Sequence, residues 1–341
     1  RIVLAVGSKP FVPPIEGLDS VDYLTNENLW ELKELPDHLI VLGAGPIGLE
    51  MAHAFRRLGS EVTVLSRDAP FAKDDPEAAK IAVDTIEAEG VKILAGADIE
   101  NIANKGGKIS IAYNIEGGEK AAVSGSHLLV ATGRTTNFDG LGLDAAGVKH
   151  GRGGIEVDAR RRTNKKHIYA IGDCRPGPQF THVSGYEGSN VVLEIGFGLP
   201  TKADFKALPW VTYTDPEVAQ VGMTEAQARE QYGDKITTWR EDFSHNDRAI
   251  AEAERTGFVK VVKKGGKVLG ATIVGRGSGD LLLPWAMAIQ GKSSAFGMAS
   301  LILPYPNRSE HNKAAAFASY DSLIFNDWTK KWARFRASLR S

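Results

Sequence analysis

Residues 39–67, LIVLGAGPIGLEMAHAFRRLGSEVTVLSR, constrain the fold of this chain more than any other stretch. An apolar run of strand character leads into three glycines within six residues. A helical pattern follows, stops at Gly59, and gives way to a second apolar strand. That is one complete βαβ unit, the building block of a parallel sheet. Gly43, Gly45 and Gly48, with Ala44, Pro46 and Ile47 between them, match GxGxxG between a strand and a helix start, the context in which that pattern carries chemistry. The first glycine makes the turn and the second lets backbone approach a pyrophosphate. The third packs helix against strand, and the helix N-terminus faces the negative charge. A dinucleotide site is expected at residues 43–48.

The tip of the second strand indicates which dinucleotide. An NAD site places Asp or Glu there to bind the ribose hydroxyls. This chain instead reads Val62-Thr63-Val64-Leu65-Ser66-Arg67. A carboxylate would repel a 2′-phosphate, whereas Ser66 can donate to one and Arg67 can pair with it, with Lys73 as a second cation. NADP(H) is the expected cofactor.

Composition narrows the class further. Forty-one Lys and Arg against 42 Asp and Glu give a net charge of −1, which excludes a global electrostatic drive onto nucleic acid. The single cysteine, Cys174, excludes an internal disulfide, a CxxC redox pair and a cysteine-built zinc site, and it is expected to be a small buried packing residue. A reducing, cytoplasmic setting follows as the expectation. The eight histidines show no HxxxH or HExxH spacing, so no metal site is assigned.

Elsewhere, residues 1–7 (RIVLAVG) read as a buried-type strand at the very start of the chain, with no upstream neighbour to cover it; the chain therefore reads as lacking its beginning. A short helix is expected at 26–34 and a longer one at 76–89, with Pro76 at its start and Gly90 past its end. Another is expected at 184–197, after the strand HIYAIGD. From Trp210 onward, antiparallel strands alternate with helices at 224–232, 279–290 and 310–319, an α+β pattern.

Five blocks, VLAVGSKP, GAGPIGLE, LLVATGR, IYAIGD and WVTYTDPEVAQVG, occur in an order that resembles the pyridine nucleotide–disulfide oxidoreductases, the family of dihydrolipoamide dehydrogenase, glutathione reductase and mercuric reductase. YAIGDCRPGPQFTHVSGYEG and VTVLSRDAPF are most similar to mercuric reductase-like members. The resemblance implies an α/β fold in which a Rossmann-like NAD(P) domain (26–135) is inserted in an FAD domain. That FAD domain is incomplete here and consists of 1–25 and 136–205. An α+β dimerisation domain (206–341) follows. It implies hydride transfer from NADPH to FAD and then to a disulfide, metal ion or other small-molecule acceptor, in a homodimer. The flavin's own glycine turn and the redox CxxxxC of the family have no counterpart in this sequence, so the chain alone is expected to be inactive.

The resemblance also implies roles for individual residues. Asp173 matches the aspartate that binds the flavin's ribityl chain (a helix N-cap being its structural alternative), Thr181 the flavin-contacting backbone amide, and Gly7 the closure of the first FAD segment. Glu50 matches the acid that leans toward the flavin–nicotinamide junction, and Gly133 the glycine that lets nicotinamide pass. Tyr305 and Glu310 fall on the family's His-Pro…Glu block, with tyrosine in place of histidine. A phenol of pKa about 10 is a poor base near neutrality. His311 is expected to be a helix-surface histidine. The C-terminal cysteine pair of mercuric reductase is also absent: the chain ends WARFRASLRS.

The tail, 326–341, carries Lys330, Lys331, Arg334, Arg336 and Arg340 against Asp327, with Trp328, Trp332, Phe335 and Leu339 on one helical face. Such a helix can lie on an anionic membrane or dock its aromatic stripe on a dimer partner or on its own domain. Two alternatives to the enzyme reading therefore remain: a non-catalytic NADP-binding and dimerisation module, and a membrane-surface redox partner.

Overall fold

The computed structural model describes residues 1–115, 118, 120–320 and 326–339. Its centre is a four-stranded parallel sheet in the order Val91–Ala95, Glu61–Ser66, His38–Leu42, His127–Val130. The helices Pro46–Leu58 and Pro76–Ala88 are the crossovers between its neighbouring strands. Period-two alternation decides what each strand residue touches. Leu39 and Val41 pack toward Leu49, Ala52, Ala78 and Ile86 of the helices. Ile40 and Leu42 face the other way, onto Ile102, Ile111 and Tyr113 of an antiparallel three-stranded sheet, Ala97–Lys105, Lys108–Ile115 and Lys120–Gly125. Both faces are therefore covered, as an all-parallel sheet requires. The helix stops are as expected: Gly59 and Gly90 both adopt positive φ, at 116° and 97°.

Residues far apart in sequence build a second, smaller unit. Strand Ile2–Leu4 runs parallel to Ile168–Ala170, and Ser8–Pro10 pairs antiparallel with Arg134–Thr136. Helix Thr181–Phe197 follows the turn after Ile168–Ala170. The strand expected over 1–7 is shorter, Ile2–Leu4, and it is uncovered as expected: it has a single neighbour among the described residues, and Ile2 and Val3 are 49% and 43% exposed.

The last unit is a five-stranded antiparallel sheet ordered Pro209–Thr212, Glu217–Gly222, Lys267–Gly275, Phe258–Lys264, Thr237–Asp242. Val259, Val261, Ala271 and Ile273 pack with Trp285, Met298, Ala315 and Ala316 of the helices Leu283–Ile289, Ala295–Ala299 and Glu310–Ala318. Val218, Phe258 and Val274 join the core of the parallel sheet instead, so this unit is docked on helix Pro76–Ala88. Polar contacts fix the joint. Trp210 Nε1 donates to Asp74 Oδ1 at 2.7 Å, and the buried Lys260 ammonium lies 2.8 Å from both Asp75 Oδ2 and Glu77 Oε1. Those carboxylates outweigh the desolvation of Lys260 and hold its pKa above the usual lysine value.

Helix 224–232 appears as Glu225–Tyr232 behind a Thr224/Gln227 capping box. The stretch 279–290 divides into a 3₁₀ turn, Gly279–Leu281, and the helix Leu283–Ile289. The helix expected at 26–34 is a single 3₁₀ turn, Leu29–Glu31. Asn28 Oδ1 accepts from the Thr25 N–H at 2.7 Å, and Leu29 is that turn's one buried residue, so side-chain-to-backbone bonding displaces a helix that had little to bury.

Candidate active site

Two of the three glycines of the turn are required by the chain's own backbone. Gly43 has φ 105°, and a Cβ there would lie 2.5 Å from the Ala131 carbonyl oxygen. A Cβ on Gly48 would lie 2.0 Å from the Gly43 oxygen. Both positions are closed by the protein's own backbone. Gly45 has nothing within 4 Å of its Cβ position, so its open side is where a ligand can approach. Pro46, which lacks the N–H that a helix start leaves unpaired, begins helix Pro46–Leu58. This geometry fits a dinucleotide pyrophosphate.

Ser66, nearly buried, ends its strand in the sheet, and Arg67 projects beyond it, mostly exposed. The Arg67 guanidinium donates from Nε (3.1 Å) and a terminal nitrogen (2.7 Å) to Asp98 Oδ1. The strand tip itself carries no acid in the sequence. Here the acid comes from the first strand of the antiparallel sheet, about thirty residues on, where no local motif would reveal it.

A cleft of about 440 Å³ brings together Gly7, Asp173 and Thr181 with Ile47 of the glycine turn. Ser8, Arg134, Gln179 and Ser184 line it too, and the sequence scan had passed over all four. Ser8 Oγ donates to Asp173 Oδ2 at 2.7 Å, and Arg134 donates to Ser8 Oγ and to the Ser8 carbonyl oxygen. Ser8 follows Gly7 and Arg134 follows Gly133, so the family blocks already contained both. Gly7 and Gly133 have positive φ and open space where a Cβ would sit. Asp173 lies in the 3₁₀ turn Gly172–Cys174 and does not cap helix Thr181–Phe197, whose N-cap is Phe180. The turn is held from below: Glu187, fully buried, accepts from the Gly172 N–H at 2.8 Å and from Arg175 Nε at 3.0 Å. Cys174 is buried as expected, and burial raises its thiol pKa above the ordinary value.

Glu50 sits one helical turn past the glycines and accepts from the Tyr213 N–H at 2.8 Å. Burial raises its pKa and that hydrogen bond opposes the rise. On the same helix face, His53 Nδ1 accepts from the Asp215 N–H (3.3 Å), and Arg57 donates to Asp215 Oδ2 (2.7 Å) and to Glu89. The pairing with Arg57, helped by His53, pulls the Glu89 pKa down to about 2. The loop over 213–216 thus clamps the helix that starts at the dinucleotide turn.

Tyr305 and Glu310 lie far from this cleft in sequence, Tyr305 on an exposed loop and Glu310 at the start of helix Glu310–Ala318. Tyr305 Oη donates to Asp247 Oδ2 at 2.8 Å, and the Asp247 charge raises the phenol's pKa further. Glu310 Oε2 accepts from the Asn307 N–H, while Asn307 Oδ1 accepts from the Glu310 N–H, each at 3.1 Å. His311 is not a surface residue. It is 4% exposed, stacks on Phe243 at 4.9 Å, and places Nε2 2.6 Å from the Asp242 carbonyl oxygen. Its neighbour Glu310 occupies the outward face, and the helix turn carries His311 inward.

Residues 1–188 match the family described as Pyridine nucleotide-disulphide oxidoreductase, and residues 208–316 match its dimerisation domain. The chain belongs to the pyridine nucleotide-disulphide oxidoreductases. Members of this family use FAD and NAD(P)H. It is 37% identical over 329 residues to a mercuric reductase of Lysinibacillus sphaericus, covering 95% of this chain and 60% of that protein. It is 36% identical to a mercuric reductase of Bacillus cereus, covering 92% of this chain and 50% of that one. The chain thus spans only part of the length of these curated relatives. Among solved structures, the flavoprotein disulfide reductase RclA from Escherichia coli, as its Cu(II) complex, superimposes with a TM-score of 0.86 at 29% identity. That superposition covers 93% of this chain and 72% of RclA. LpdA from Mycobacterium tuberculosis gives 0.84 at 29% identity, covering 93% and 69%.

Proposed function

We propose that this chain forms the nicotinamide-binding and interface portion of an NADPH-dependent flavoprotein oxidoreductase that reduces a small-molecule acceptor and works as a homodimer. The observation that carries the reading is the shared cleft: Ile47 of the dinucleotide turn and Asp173, Thr181 and Gly7 of the flavin blocks open onto one space. When bound, NADPH supplies a hydride that FAD accepts and passes on as electrons.

The chain's own residues do the rest. Backbone N–H groups at 43–48 bind the pyrophosphate, and Ser66 and Arg67 take the 2′-phosphate. Gly133 leaves room for the nicotinamide. Asp173 accepts from ribityl hydroxyls, with Ser8 orienting its carboxylate. Thr181, at a helix start, presents a backbone N–H to the flavin. Glu50, tethered by Tyr213, fixes an acid beside the junction of the two cofactors. Tyr305, whose O–H is donated to Asp247 and which is thereby held protonated, does not serve as a base, which argues against the family's usual acid–base route on a disulfide. With Glu310 it reaches the partner subunit's flavin site.

Titration of the chain with each reduced nucleotide tests the reading. NADPH should bind about 10- to 100-fold tighter than NADH, since a charge-assisted phosphate contact contributes about 1.5–3 kcal/mol. Arg67→Glu should invert the order. Equal affinities in the unaltered chain would refute the NADPH assignment. The non-catalytic alternative is separated by colour: a chain that never takes up flavin on addition of FAD is a binding module.

A further inference from the structure

The helix Asp327–Ser338 has no buried residue, and no role in the nucleotide chemistry falls to it. It lies beyond the matched dimerisation domain, which ends at residue 316. Arg340 lies outside the described residues. The expectation that the aromatic stripe docks on its own domain fails, because Trp328, Trp332, Phe335 and Leu339 are 70, 51, 52 and 66% exposed. The rings nevertheless cohere: Trp328 and Trp332 stack with their planes 4° apart, and Trp332 lies 5.7 Å from Phe335. At about 100° per residue the four apolar side chains share one narrow face. Lys331 borders that face on one side and Arg336 on the other, while Lys330 and Arg334 lie behind.

We propose that this helix is a binding site for the surface of an anionic phospholipid bilayer. The indole and phenyl rings enter the headgroup boundary, and the flanking cations snorkel to lipid phosphates. Charge complementarity selects this occupant. Among residues 326–339, four cations face one acid, a net +3 in a chain whose overall charge is −1. A stripe that only docked on protein would need no cations along both borders. At 12 residues the helix extends about 18 Å, against an apolar bilayer core of about 30 Å, so it lies on the surface and does not cross. No helix among the described residues is long and apolar enough to span a membrane.

Co-sedimentation of the full 341-residue chain with vesicles tests the proposal. Binding to phosphatidylcholine vesicles containing phosphatidylglycerol should be roughly 100-fold tighter than to phosphatidylcholine alone, and should weaken as salt rises. Lys331→Glu with Arg336→Glu should abolish the preference for anionic lipid. Trp328→Ser with Trp332→Ser should lower binding about tenfold or more. Both pairs should leave the thermal melt unchanged, because none of the four substituted side chains is buried. Equal binding to the two vesicle types, or none, overturns the proposal. So does a tryptophan variant that sediments like the parent but changes from dimer to monomer by light scattering, which would assign the stripe to a second copy.

Discussion

The two units that meet at the cleft rest on similar apolar strands but are built to different degrees. His38–Leu42 is one of the two inner strands of a sheet covered on both faces, and Leu39, Ile40 and Val41 are fully buried. Ile2–Leu4, just as apolar in sequence, pairs on one side only and stays half exposed. Hydrophobic sequence therefore specifies a strand's preference for burial. Neighbouring elements decide whether the preference is met.

The largest expected effect breaks this comparison at its centre. Ile40→Ala should destabilise by about 2–5 kcal/mol, because a fully packed site leaves a cavity, while Ile2→Ala should cost less than about 1 kcal/mol. Urea unfolding of the two variants checks this, and similar losses would mean that the strands are equally packed. Next comes the glycine turn. Gly48→Ala should cost about 1–3 kcal/mol, since its Cβ meets backbone that cannot yield. Gly45→Ala should leave the melt nearly unchanged and weaken NADPH binding about tenfold or more, the reverse separation of stability and affinity.

A smaller effect probes Arg67. Asp98→Asn should tighten NADPH binding about 3- to 10-fold and leave NADH within about twofold, because a carboxylate beside the guanidinium also repels the 2′-phosphate across solvent. In an Arg67→Ala background the same change should do less, and calorimetry on the four proteins measures the coupling. The smallest effect is set by pH. Burial lowers the pKa of His311 below its ordinary value of 6.5. The unfolded chain therefore binds this proton more readily. The contribution of His311 to stability is fully present above about pH 6.5 and is lost as pH falls below it, toward the depressed folded pKa. Melting temperatures of the parent and of His311→Gln, compared between neutral and mildly acid pH, should converge as the pH drops. A constant gap would show that His311 takes up its proton equally in the folded and unfolded chain.

The sequence by itself determined the βαβ unit, the need for glycine at Gly43 and Gly48, the stops at Gly59 and Gly90, the buried character of Cys174 and the α+β character after Trp210. Each of these follows from local periodicity or from sterics within a few residues. Tertiary structure decided the rest. It buried His311 against Phe243, reduced 26–34 to one turn, supplied Asp98 to Arg67 from a different sheet, and left the tail helix uncovered. It also placed Ile47 on the same cleft as Asp173, residues 126 positions apart in the chain. Such pairings depend on which surfaces pack together. A residue's own neighbours in sequence carry almost no record of that.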